Sequence, residues 1–124
     1  MGETDLTGIW LVVSDDPDVA EAIRAGLPAD VEVAVCNDGR VAIKRLEELT
    51  PRVVVVDLQT GNAGGFGLAK DMAQTARLSS IPVILLLERE QDRWLAQQSG
   101  ATLAIRKPVT GSEVLVAVSS VLAA

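Results

Sequence analysis

Asp57 follows four consecutive valines, Val53 to Val56. A strand that apolar is normally buried on both faces, as in the middle of a parallel sheet. In an open α/β sheet, ligands sit just beyond the carboxyl ends of the strands. Two other apolar runs also end in charge. Ile9-Trp10-Leu11-Val12-Val13 leads into Ser14-Asp15-Asp16-Pro17, and Ala101 to Ile105 leads into Arg106-Lys107-Pro108. Buried strands would therefore bring Asp57, Asp15 and the Lys107 ammonium to one edge of a sheet, with Asp16 close by. Carboxylates gathered there repel one another unless a cation lies between them. A divalent cation and a phosphoryl group both suit such a site, because phosphoryl transfer rests on positioning and charge neutralisation.

The elements needed to position these groups are readable from the apolar periodicity, which alternates strand and helix five times. The strands are expected at Ile9–Val13, Val31–Cys36, Val53–Val56, Val83–Leu87 and Ala101–Ile105. The first helix is expected over Asp18–Gly26 with Val19, Ala22, Ile23 and Leu27 inward. Asn37-Asp38-Gly39 offers a cap for a second helix through Leu49, with Val41, Ala42, Arg45, Leu46 and Leu49 at helical spacing before Pro51. A third helix is expected over Phe66–Thr75 and a short fourth over Gln91–Ser99, stopped by Gly100. Thr110-Gly-Ser-Glu113 has the pattern of a capping box for a last helix, with Val114, Leu115, Val118, Val121 and Leu122 inward.

Strict β-α alternation with short connections implies a parallel sheet and right-handed crossovers. The second strand alternates Val with Glu32 and Ala34, which suits an edge. The most apolar strands, one, three and four, should be central, giving the order 2-1-3-4-5 in a doubly wound α/β domain. Asp15 and Asp57 then flank the switch point between strands one and three.

Composition narrows the function. A chain of 124 residues suits a single domain. Its formal charge of −6 speaks against a nucleic-acid surface, which needs a basic face. No apolar stretch reaches membrane-span length and the acidic N-terminus lacks a signal peptide's basic region, so a cytoplasmic location is expected. One cysteine, Cys36, excludes an intrachain disulfide. With no histidine, catalysis and metal binding by imidazole are excluded.

These residues resemble the receiver domain of response regulators in two-component signalling, over nearly the whole chain. The matching pieces are Val12 to Pro17, Val54 to Leu58, Gly65-Phe66, Ile81-Pro82-Val83-Ile84, Gly100-Ala101 and Lys107-Pro108. Each is weak alone; together, in order and spacing, they are specific. The resemblance implies a flavodoxin-like fold, and a phosphoacceptor rather than an enzyme. Asp57 would take a phosphoryl group from a sensor histidine kinase, a phosphotransfer protein or a small acyl phosphate. Mg²⁺ would be held by Asp15, Asp57 and the backbone carbonyl of Gln59. Lys107 would pair with Asp57 or the phosphoryl oxygens, next to a cis bond to Pro108. Receivers often dimerise or dock partners through the face of the fourth helix, fifth strand and fifth helix, where Trp94, Val109, Val116 and Ala117 are expected. With Leu95 turned to the core, Trp94 would be partly exposed.

Several positions depart from the family pattern. The first member of the usual acidic pair is Ser14, which removes a charge near the metal and should lower metal affinity. A Thr or Ser usually ends the fourth strand and bonds the phosphoryl oxygen; here Leu87 stands there. The following small residue is Glu88. A carboxylate ~5 Å from a phosphoryl group would be repelled by ~3 kcal/mol per unit charge at an effective dielectric of ~20. The inward-swinging aromatic of strand five is Ala104, and Thr60-Gly61 replaces an apolar-Pro pair.

The expectation is therefore an atypical receiver without an output domain, acting by protein docking without the usual Thr/Tyr relay. A constitutive, phosphorylation-independent pseudo-receiver is the close alternative. A small flavodoxin-like protein binding nucleotide or flavin is a third reading. The Gly-rich segment Gly61 to Gly67 follows the third strand and lacks a Gly-Lys-Ser/Thr ending, which argues against nucleotide binding.

Overall fold

The computed structural model describes residues 6–58 and 65–123. Five parallel strands, β1 (Gly8–Val13), β2 (Val31–Cys36), β3 (Val53–Asp57), β4 (Val83–Leu87) and β5 (Leu103–Arg106), form one sheet in the order β2-β1-β3-β4-β5. β3 and β4 are buried at every residue, whereas β2 and β5 are only partly covered. The gradient from apolar centre to mixed edge is the expected one. Five helices connect and cover the strands: α1 (Pro17–Ala25), α2 (Gly39–Arg45), α3 (Gly65–Gln74), α4 (Arg93–Gln98) and α5 (Gly111–Ala123).

Because side chains alternate across a strand, the sheet has two apolar faces. Trp10, Val12, Val53, Val55, Ile84 and Leu86 meet Ala20 and Ile23 of α1 and Val114 and Val118 of α5. Leu11, Val13, Val54, Val56, Leu85 and Leu87 meet Ala42, Leu46, Leu68, Met72 and Ala96 on the other side. Burying each large aliphatic side chain contributes roughly 1.5–3 kcal/mol. α1 and α5 approach closely enough that a methyl at Gly26 or Gly111 would run into backbone of the other helix.

The helix starts follow local chemistry. Asp16 caps α1, its carboxylate accepting from the Asp18 N–H at 2.9 Å, with Pro17 at the first helical position. Asp38 caps α2 by accepting from the N–H groups of Arg40 and Val41. The capping box of α5 forms in both directions: the Thr110 N–H donates to Glu113 Oε1 at 3.0 Å, and the Glu113 N–H to Thr110 Oγ1 at 3.1 Å.

Three details differ from expectation. α2 ends at Arg45 rather than Leu49, because the Glu47 and Glu48 N–H groups bond carbonyls three residues back and tighten the last turn. Within it, Ala42 and Leu46 take the buried positions, leaving Val41 and Arg45 exposed. The fourth helix begins as a 3₁₀ turn, Glu90–Asp92, and only then becomes α4. That rotation puts Ala96 inward, so Leu95 is 46% exposed and Trp94 64%. β5 begins at Leu103, two residues later than expected, although the Thr102 N–H already bonds the Val83 carbonyl. Among the described residues, no helix is long and apolar enough to cross a membrane.

Candidate functional site

Two of the charged strand ends, Asp57 and Lys107, meet in an ion pair. Asp57 is the last residue of β3 and is 1% exposed. Lys107 follows β5, and its N–H donates to the Leu87 carbonyl at 2.8 Å, extending the β4–β5 ladder by one bond. That bond brings Lys107 alongside both Asp57 and the residue after β4, Glu88. The Lys107 ammonium donates to Asp57 Oδ1 at 2.6 Å, and Glu88 Oε2 lies 3.1 Å from the same nitrogen. One cation thus faces two carboxylates, one buried and one with its side chain 46% exposed. Burial pulls the Lys107 ammonium down, but hydrogen bonds and charge from Asp57 and Glu88 outweigh it and hold the pKa above the ordinary lysine value. The Lys107-Pro108 peptide is cis, as expected.

Ser14 supplies the other half of the Asp57 environment. It continues β1 by donating its N–H to the Cys36 carbonyl, and it is itself buried. Its hydroxyl donates to Asp57 Oδ2 at 3.0 Å while accepting from the Asp16 N–H at 3.1 Å. A neutral donor thereby stands against an oxygen of Asp57 where a second carboxylate would have added repulsion. Asp15, next in sequence, is exposed. Asp16 is committed to capping α1, which leaves the cap role off Asp15. Gln59 and the segment to Gly64 lie outside the described residues.

Two of the positions that depart from the family pattern lie at packed parts of the sheet. Leu87 is fully buried among Leu85, Met72 and Ala96. Ala104 leaves a groove of about 130 Å³ between α4 and β5, and the Arg93 guanidinium reaches across it to donate to the Ala104 carbonyl at 2.9 Å. Above the site, Asp16, Asp18, Val19, Glu88, Lys107, Pro108 and Val109 line an open cleft of about 370 Å³.

Two contacts were not read from the sequence: the Ser14–Asp57 bond and the Glu88–Lys107 pair. Position alone pointed to both residues, but neither side chain's direction is encoded in spacing. The Arg93 bond to the Ala104 carbonyl left no signal either, because its acceptor is backbone.

A doubly wound parallel sheet carrying a buried Asp–Lys pair at its carboxyl edge, with a further Asp just after β1, defines a receiver-type module. Comparison with known proteins agrees. The model of the response regulator receiver domain matches residues 10–119, and the chain belongs to that family. It is 32% identical over 108 residues to an uncharacterised 14.6 kDa protein in the sodA1 3′ region of Leptolyngbya boryana, covering 85% of this chain and 82% of that protein. It is 28% identical to the response regulator Rre1 of Synechocystis over 91% of this chain but only 51% of the relative's length. Among solved structures, the receiver domain of the sensor histidine kinase PA1611 from Pseudomonas aeruginosa PAO1, which holds a magnesium ion in its active-site cleft, superposes with a TM-score of 0.84 at 20% identity. That superposition covers 95% of this chain and 99% of the other.

Proposed function

We propose that this receiver accepts a phosphoryl group on Asp57 from a histidine kinase or phosphotransfer protein and signals by docking a downstream protein. The buried Asp57–Lys107 pair at the carboxyl edge of the sheet is the observation that carries this reading. In the transfer, a carboxylate oxygen of Asp57 bonds to phosphorus as the donor's P–N or P–O bond breaks, and the electron pair leaves with the donor. Lys107 neutralises charge on Asp57 and on the incoming oxygens. Ser14 orients the carboxylate by holding Oδ2.

The donor set fits Mg²⁺. It is made of oxygens, and the chain's one thiol, Cys36, is the buried last residue of β2. Asp15 and Asp57, with the backbone carbonyl of Gln59, would hold an ion that keeps several waters of its own. When bound, Mg²⁺ neutralises the carboxylates and the transferring oxygens. A magnesium ion in the related Pseudomonas receiver supports this assignment.

Output then proceeds without the hydroxyl–aromatic relay, since Leu87 and Ala104 occupy the relay positions. The docking face is α4–β5–α5, where Trp94, Leu103 and Val116 are exposed at 64%, 38% and 69%. The same two residues, with Glu88 held on Lys107, favour a second reading: a pseudo-receiver that binds its partner whether or not Asp57 is modified. Intact mass after incubation with acetyl phosphate and Mg²⁺ separates the two. A phosphoryl adduct on the wild type that is absent from Asp57→Asn supports phosphoacceptance. An unmodified wild type, with partner capture unchanged in Asp57→Asn, supports the pseudo-receiver.

A further inference from the structure

Lys107 is shared, and the second claimant is unusual in its position. Glu88 directly follows β4, so the bond from the Lys107 N–H to the Leu87 carbonyl sets the two side chains next to each other. Its Oε2 takes a charge-assisted contact at 3.1 Å from an ammonium that also bonds Asp57 at 2.6 Å. A phosphoryl oxygen on Asp57 would be the same kind of acceptor, needing the same cation from the same side of the sheet edge. Lys107 lines an open cleft together with Asp16, Asp18 and Glu88, so an anionic donor approaching the ammonium through it meets carboxylates. Half-exposure gives Glu88 room to swing into water once displaced.

We propose that Glu88 is a positioning residue that stands in for the phosphoryl group: its carboxylate holds a Lys107 contact in the unmodified protein for which a phosphoryl oxygen on Asp57 must compete. This rests on the phosphoacceptor reading for its biological meaning, but the displacement itself can be tested separately. Two anions then compete for one ammonium, which slows loading and weakens the loaded state. Glu88→Gln keeps the side chain's size and removes the competing charge. Glu90→Gln, which removes a neighbouring carboxylate paired with Arg93 rather than Lys107, is the control for a general change in field.

The experiment titrates beryllium trifluoride anion, a phosphoryl mimic, with Mg²⁺ into wild type, Glu88→Gln and Glu90→Gln, following backbone amide shifts. Acetyl phosphate uptake by intact mass runs in parallel. The expected result is a midpoint lowered about tenfold in Glu88→Gln alone, with phosphoryl uptake about tenfold faster. Equal midpoints for wild type and Glu88→Gln, or no response from either, overturn the proposal. Equal tightening in Glu90→Gln overturns it as well, by reducing the effect to net charge. If Glu88→Gln tightens the mimic while neither protein gains mass, the role of Glu88 stands and the phosphoacceptor reading falls.

Discussion

Replacing Lys107 by Met tests the electrostatic account of the site most directly. Asp57 is 1% exposed and Lys107 has 12% of its side chain exposed, at a separation of 2.6 Å. At an effective dielectric of ~20 their attraction is about 6 kcal/mol. Desolvation of both ions offsets much of this in the intact protein, yet removing one partner strands the other. Lys107→Met removes the cation from a buried carboxylate, and should cost about 3–5 kcal/mol. Asp57→Asn is not its mirror image. There the ammonium keeps Glu88 at 3.1 Å and partial access to water, so the loss should stay near 1 kcal/mol. The double variant has no stranded charge and should be close to Asp57→Asn. Urea denaturation, followed by the fluorescence of fully buried Trp10, measures all three. A Lys107→Met loss below about 1 kcal/mol, or strict additivity in the double variant, would refute the reasoning.

The raised pKa of Lys107 gives a pH signature. A cation whose folded pKa lies above its unfolded value of about 10.4 contributes fully below that pH, and the contribution fades as pH rises through the folded value. Wild-type urea midpoints should therefore fall more steeply than those of Lys107→Met above about pH 10.4; parallel curves would contradict the pairing. Gly111→Ala should destabilise by about 1–3 kcal/mol, since the new methyl meets the Ala22 carbonyl and Gly26 backbone, neither of which can rotate away. Gly67→Ala in α3, with nothing near the added carbon among the described residues, should gain about 0.5–1 kcal/mol, and thermal unfolding compares the two. Leu87→Thr with Ala104→Tyr should enlarge the amide-shift response to beryllofluoride, with the Arg93–Ala104 bond giving way to the ring; an unchanged response would show that the missing relay does not limit the signal.

Much of this site is written in runs and ends. Val53 to Val56 could only be a buried strand, so the place of Asp57 followed, and the apolar grading of the strands carried the sheet order with it. Caps were equally legible, because Asp38 and the Thr110–Glu113 pair act on backbone a few residues away. Legibility stopped where an outcome depended on rotamers or on a phase shift. Leu95 faces water because three residues of 3₁₀ turn rotate α4, an offset that apolar spacing does not record. Glu88 had two directions open to it, solvent or Lys107, and only the three-dimensional placement of the ammonium decides between them.

The contact between α1 and α5 carries a consequence for how the domain is assembled. Ile23 on the first helix and Val118 on the last share one cluster with Trp10, and β1 lies between β2 and β3 in the sheet. The face beneath Trp10 therefore stays open until the helix most distant in sequence arrives, whereas the opposite face is covered by α2, α3 and α4 without it. Such long-range closure slows folding and makes it concerted. A receiver that loses α5 loses the cover over Trp10 and Ile23, so the integrity of the sheet edge that holds Asp57 depends on a helix far from it in sequence.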